Sequence, residues 1–226
     1  MTASSNRHSP LIAAVVTCFC VVFALPTWSY AQPPDVRAAR DTALPLPARM
    51  HFTRELRLDG NLTDTAWASA DSITSFTQRD PQQGAPGSER TVVRFVGSPD
   101  GLWIGVWAYD RQPAGIRRTQ LRRDADLGSD DHITVMLSPT ADKRTGFLFS
   151  INPNGALTDA EVLNFENESR EWDGVWDGRA HLTASGWQAE ILIPWQTLRY
   201  RPIVGDSAAD TWDMNCLLYT SDAADE

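Results

Sequence analysis

The chain has 226 residues, 42% of them hydrophobic, with 29 acidic against 20 basic residues and a formal charge of -9. That length and apolar content suit one sizeable core with a small appendage and exclude a chain disordered throughout. The acidic balance excludes a nucleic-acid surface, which needs clustered Lys and Arg to neutralise phosphates, and leaves neutral or cationic partners.

Residues 1–31 read as a secretory signal peptide: Arg7 in a short polar start, the apolar run Leu11 to Leu25, then Pro26 and the small-residue site Ser29-Tyr30-Ala31. Cleavage is expected after Ala31. The fifteen-residue run falls short of the roughly 20 residues of a membrane-spanning helix, which argues against an uncleaved anchor. Lipid attachment at Cys18 is the lesser alternative, because Thr17 is a poor residue before a lipidated cysteine. With Cys18 and Cys20 in the leader, only Cys216 remains in the mature chain and no disulfide framework is expected. An exported chain of this kind holds together by burial, by β-ladders and by any bound ions.

Residues 32–50, rich in Pro, Ala and Arg without apolar periodicity, read as a linker. From Phe52 onward, short β-branched and aromatic segments alternate with Gly, Pro, Asp and Asn, the pattern of an all-β antiparallel sandwich or barrel. The clearest predicted strands are Thr91–Gly97, Leu102–Asp110, His132–Pro139, Thr145–Asn152 and Trp187–Trp195. In the second, Trp103, Gly105, Trp107 and Tyr109 share one face while Leu102, Ile104, Val106 and Ala108 share the other, so it is expected at the centre of a sheet. "SPDG" (98–101) and "TASG" (183–186) read as hairpin turns. Short helices are expected in Leu62–Ala70, capped by Thr63, and in Pro194–Tyr200, with proline in the first turn.

The last eleven residues, "CLLYTSDAADE", resemble the translation of a transposase-type sequencing adapter. The native coding sequence is therefore expected to stop near Asn215, with 216–226 as read-through and the parent protein longer than this chain.

The order of these segments resembles the family 9 carbohydrate-binding modules. "LRLDGNLTDTAWASA" looks like their opening, and "FTQRDPQQGAPGSERTVVRF", "LWIGVWAYDRQP", "RRDADLGSDDHITVMLSP", "DKRTGFLFSINPNGALTDA", "EWDGVWDGRAHLTASGWQAEILIPWQTLRY" and "TWDMN" follow in sequence. The resemblance is closest to a subgroup placed after the signal peptide in large exported Gram-negative proteins, ahead of a long outer-membrane-barrel-like region of unknown function. It implies a β-sandwich over 51–215, truncated at its C-terminus, located in the periplasm, outer membrane or cell surface. The implied partners are an oligo- or polysaccharide and the C-terminal barrel of the same chain, with structural calcium in some members. One departure is Asp213, where these proteins usually carry glycine. Another is the loop Asp124–Ser129, which lacks the aromatic that sugar-binding members place there.

Sugar recognition needs an aromatic face for the C–H face of a pyranose and polar side chains for its hydroxyls. Of the eight tryptophans after the leader, Trp67, Trp103, Trp107, Trp187, Trp195 and Trp212 are expected to pack in the core or on a sheet face. Trp172 and Trp176 lie in the polar loop "NFENESREWDGVWDG" and are candidates for a sugar platform as well as for packing, with Trp172 the better candidate for exposure. Arg123 and Asn154 are the candidate hydroxyl partners. Asp124, Asp126, Asp130 and Asp159 are candidate calcium ligands, although the loop lacks the EF-hand order and Asp124 can instead pair with Arg122 or Arg123. Asp173, Asp177, Glu161 and Glu190 supply carboxylates in number but form no recognisable catalytic pattern, and Glu190 is expected to bond a neighbouring arginine. Any hydrolase activity would lie beyond this fragment.

Overall fold

The structure, a computed structural model, describes residues 51–139, 144–164, 167–198 and 212–220. The expected signal peptide and linker lie outside the described residues. In chain order the elements are β1 (His51–Phe52), α1 (Thr65–Ser69), β2 (Ser72–Ile73), β3 (Thr91–Gly97) and β4 (Gly101–Tyr109). After a 3-10 turn at Pro113–Gly115 come β5 (His132–Ser138), β6 (Thr145–Ile151), β7 (Leu157–Leu163) and β8 (Asn167–Ser169). β9 (Asp177–Thr183), β10 (Gly186–Pro194) and β11 (Asp213–Tyr219) complete the chain.

The strands form two sheets, one ordered β1-β3-β4-β10-β9 with β2 also on β3, the other ordered β11-β5-β6-β7-β8. All pairs are antiparallel except β1 with β3. The core lies between the sheets. Val93, Phe95, Leu102, Ile104, Val106, Ile191 and Ile193 face Ile133, Val135, Leu137, Phe147, Phe149 and Ile151, the alternate positions of each strand. Each such side chain contributes about 1.5–3 kcal/mol by leaving water.

β4 is central, between β3 and β10, and both its faces are covered. Its second face holds Trp103 and Trp107 beneath the leading segment, whose Leu62 and Trp67 bury against them. Gly105 makes this possible: a Cβ there would sit 3.0 Å from the Trp67 ring and 3.1 Å from Leu62. Gly105 also lies beside Glu190 of β10, which is 0% exposed. Among the described residues Glu190 bonds no arginine, the partner expected of it; its Oε2 accepts the N–H groups of Asp59 and Gly60, each at 3.0 Å.

Both predicted hairpin turns form, with Ser98 N–H donating to Gly101 and Gly186 pairing with Thr183. Two helix details differ. α1 is capped at Asp64 rather than Thr63 and makes no side-chain cap bond, so packing of Trp67 holds it. Pro194 ends β10 and residues 195–198 form a turn, closed by Thr197 N–H on the Pro194 carbonyl, with the rest of that predicted helix outside the described residues. β11 crosses the expected junction at Asn215, pairing with β5 from Asp213 to Tyr219. Beyond that junction Cys216 and Leu218 pack on the main core and the Tyr219 ring stacks on His132 at 4.4 Å, so side chains as well as the ladder hold this part of β11.

Gly105→Ala is expected to cost about 1–3 kcal/mol by overpacking against Trp67 and Leu62, even though alanine restricts the unfolded backbone. A urea midpoint equal to or above that of the parent chain would contradict this packing.

Candidate functional site

The loop 171–178 is organised by one carboxylate. On β7, Leu157 packs into the main core while Ala160 and Val162 turn to the opposite face, so Asp159 occupies a core-side position opposite Phe149. A carboxylate there must collect donors, since burying it unpaired is prohibitive. Asp159 Oδ1 accepts the Gly174 N–H at 3.0 Å; Oδ2 accepts the Trp176 indole N–H at 2.7 Å and the Arg123 guanidinium at 2.5 Å.

Trp176 is therefore a core residue, 6% exposed, with its ring edge-on to Phe149 at 5.2 Å and the Arg123 guanidinium 5.6 Å above it. Of the two roles open to it, platform or packing, the structure shows packing: its indole N–H is taken by Asp159 and its ring lies in the core. Trp172 is half-buried, 4.8 Å from the Phe147 ring and 5.9 Å from Phe149, and folds over Gly174. A Cβ on Gly174 would meet that ring at 2.5 Å, so only glycine allows the fold-back. Beside it, Arg123 keeps 34% of its side chain exposed and Asp173 keeps 79%, their charged atoms 3.2 Å apart. Arg123 also donates to the Gly174 carbonyl at 2.9 Å. The structure thus brings Arg123, Asp159, Trp172 and Trp176 into one corner and adds Asp173, which sequence reading had counted only among possible catalytic carboxylates.

Asn154 and Asp130 work at the adjoining turn. Asp130 is buried, and both its oxygens are engaged: Oδ1 by the Thr119 N–H and hydroxyl at 2.8 and 2.7 Å, Oδ2 by the Gln120 N–H and the Asn152 amide, each at 2.8 Å. Burial opposes its charge, but these donors outweigh it and hold the carboxyl below the usual range. Asn154 donates to the Arg118 carbonyl at 2.6 Å and accepts the Arg118 guanidinium at 2.7 Å. Together these bonds fasten the loop before β5 onto the β6–β7 turn. At that turn Gly155 takes the left-handed conformation, with φ +79. Asn152, which no motif singled out, is the hinge of this network; its partner lies 22 residues away.

The four aspartates do not converge. Asp130 and Asp159 have their oxygens filled by N–H and hydroxyl donors. Asp126 accepts the Gly128 N–H, and Asp124 is exposed with Arg123 Nε at 3.9 Å, the pairing expected from sequence. Among the described residues no group of three or more His, Cys, Asp or Glu is arranged to hold a metal ion. As placed, these residues do not fit calcium, which needs several unclaimed oxygens around one point. Of the remaining carboxylates, Glu190 is buried under the Asp59–Gly60 turn, and Asp177 accepts the Gly178 N–H and an Arg179 N–H.

No protein-family model matches the chain, and no curated protein matches it. Solved structures do. A family 9 carbohydrate-binding module from Caldicellulosiruptor kristjanssonii in complex with cellotriose aligns with a TM-score of 0.52 at 14% identity, over 77% of this chain and 78% of that one. A family 9 module from the same organism in complex with glucose aligns at 0.51 and 13%, over 77% and 81%. A candidate carbohydrate-binding protein from Bacteroides uniformis aligns at 0.50 and 15%, over 68% and 73%. The chain has the β-sandwich fold of the family 9 carbohydrate-binding modules.

Asp159→Ala would leave the Trp176 N–H buried without an acceptor and Arg123 without its main partner. The expected loss is about 2–4 kcal/mol, below the full cost of a broken buried ion pair because Arg123 is a third exposed. Chemical denaturation and a red-shifted tryptophan emission check this; an unchanged emission and midpoint would remove Asp159 from its organising role.

Proposed function

We propose that this chain is a non-catalytic carbohydrate-binding module, exported and placed at the front of a larger cell-envelope protein, where it supports carbohydrate breakdown by holding an oligo- or polysaccharide. The observation that carries this reading is the shared fold with modules in complex with cellotriose and glucose. The binding site of this reading is the corner of Trp172, Arg123 and Asp173. In this reading the half-buried Trp172 supplies the stacking surface, and the guanidinium and exposed carboxylate beside it offer a donor and an acceptor to vicinal hydroxyls. Asp159 acts behind them, fixing the loop so that little ordering is needed on binding.

A second reading, a structural periplasmic domain packed on an outer-membrane barrel of the same chain, draws on the internal engagement of Asp130, Asp159 and Asn154. Titration with glucose and cello-oligosaccharides, followed by tryptophan fluorescence with and without calcium, separates the two. Saturable quenching is expected, and Trp172→Ala should weaken it about tenfold, or about 1.4 kcal/mol. Unchanged affinity in that variant would move the site elsewhere on the sandwich, and silence across a glycan array would favour the structural domain.

A further inference from the structure

Glu190 lies where the leading segment docks on the outer face of the six-stranded sheet. Its row across the sheet reads Arg94, Gly105, Glu190, Arg179, from β3 to β9. The Asp59–Gly60 turn sits directly over it. Gly60 takes φ +83 there, and a Cβ on it would meet the Arg179 Cβ at 3.1 Å and the His181 ring at 3.5 Å. Both N–H groups of the turn converge on Oε2, while Oε1 is buried with no hydrogen-bond partner among the described residues.

The charged neighbours do not compensate Oε1. Arg179 donates to Asp177 and to the Gly178 carbonyl, and Arg94 donates to the Trp67 carbonyl. From the leading segment come two further carboxylates, Asp59 and Asp64, and from β9 the imidazole of His181. A neutral carboxyl suits this setting: Oε2 accepts both N–H groups of the turn, and no full charge is held in a buried site where Oε1 has no partner among the described residues. Loss of its proton to solvent leaves a buried carboxylate with donors on Oε2 alone, none on Oε1 among the described residues, and acidic neighbours at Asp59 and Asp64.

We propose that Glu190 is a proton-operated latch, closed when its carboxyl is neutral, that fastens the Asp59–Gly60 turn and the segment behind it to the sandwich. Burial, only partly offset by the Gly60 and Asp59 N–H groups, raises the carboxyl from 4.5 to about 7. Because the folded value lies above the unfolded one, the stabilisation is complete below about 4.5 and is lost as pH rises through about 7. The segment that Trp67 and Leu62 dock is thus held most firmly in mildly acidic surroundings.

The test is a pH titration of the whole chain by NMR together with urea denaturation. The Asp59 and Gly60 amide resonances should shift together with a midpoint near 7, and the urea midpoint should fall between pH 5 and pH 8. Glu190→Gln should abolish both responses, while His181→Gln should keep them, which separates the carboxyl from the imidazole beside it. Should Glu190→Gln not fold, the parent titration still decides. Amide shifts with a midpoint near the ordinary carboxylate value, or none, would overturn the latch, as would a midpoint that disappears with His181→Gln.

Discussion

A carboxylate on the dry side of a β-sheet cannot stay there without donors, and in this sandwich the donors come from loops. Asp159 shows the consequence. The alternation of β7 turns it inward among Phe149 and its neighbours, and the groups that satisfy it among the described residues are an arginine from one loop and two N–H groups from another. The positions of Arg123, Gly174 and Trp176 follow from that single requirement. Trp172 then folds over the glycine that the bond holds in place.

The same requirement recurs with different outcomes at three sites. Asp130 has four donors distributed over both oxygens and stays charged, so the loop before β5 is tied down rigidly. Asp159 has a cation and two N–H groups. Glu190 has two N–H groups on one oxygen, none on the other and no cation in bonding contact among the described residues, and its carboxyl is accordingly displaced upward to about 7. Donor count and placement, rather than depth of burial, distinguish a permanent clamp from an adjustable one.

The abundance of tryptophan has a structural explanation before it has a functional one. Trp67, Trp103, Trp176 and Trp187 are buried, and Trp107, Trp195 and Trp212 pack on the same clusters. Several also use their polar handle: Trp103 donates to the Ser98 hydroxyl, Trp195 to the Ser98 carbonyl and Trp176 to Asp159. A large ring with one N–H suits a sandwich whose hairpin turns carry free oxygens, because it fills volume and closes the turn together. Trp172 is half-buried like Trp107, Trp195 and Trp212, but it lies beside Arg123 and Asp173, whose side chains retain exposure, which is why the corner rather than the core carries the sugar reading.

Local pattern determined the all-β architecture, the two apolar faces of β4, the two tight hairpins and the packing of six tryptophans, because strand periodicity and turn chemistry act between near neighbours. The strand β7 was harder to read: "LTDAEVL" mixes acidic and apolar residues, and its inward Asp159 makes sense only with Arg123 36 residues away. Glu190 is the sharper case. An acid in an apolar strand suggested an arginine partner, yet both register-row arginines turn to other acceptors and the backbone 130 and 131 residues earlier takes their place. Hydrophobic alternation is written along the chain; the choice of which distant N–H reaches a buried oxygen is made only when two sheets and their loops close on one another.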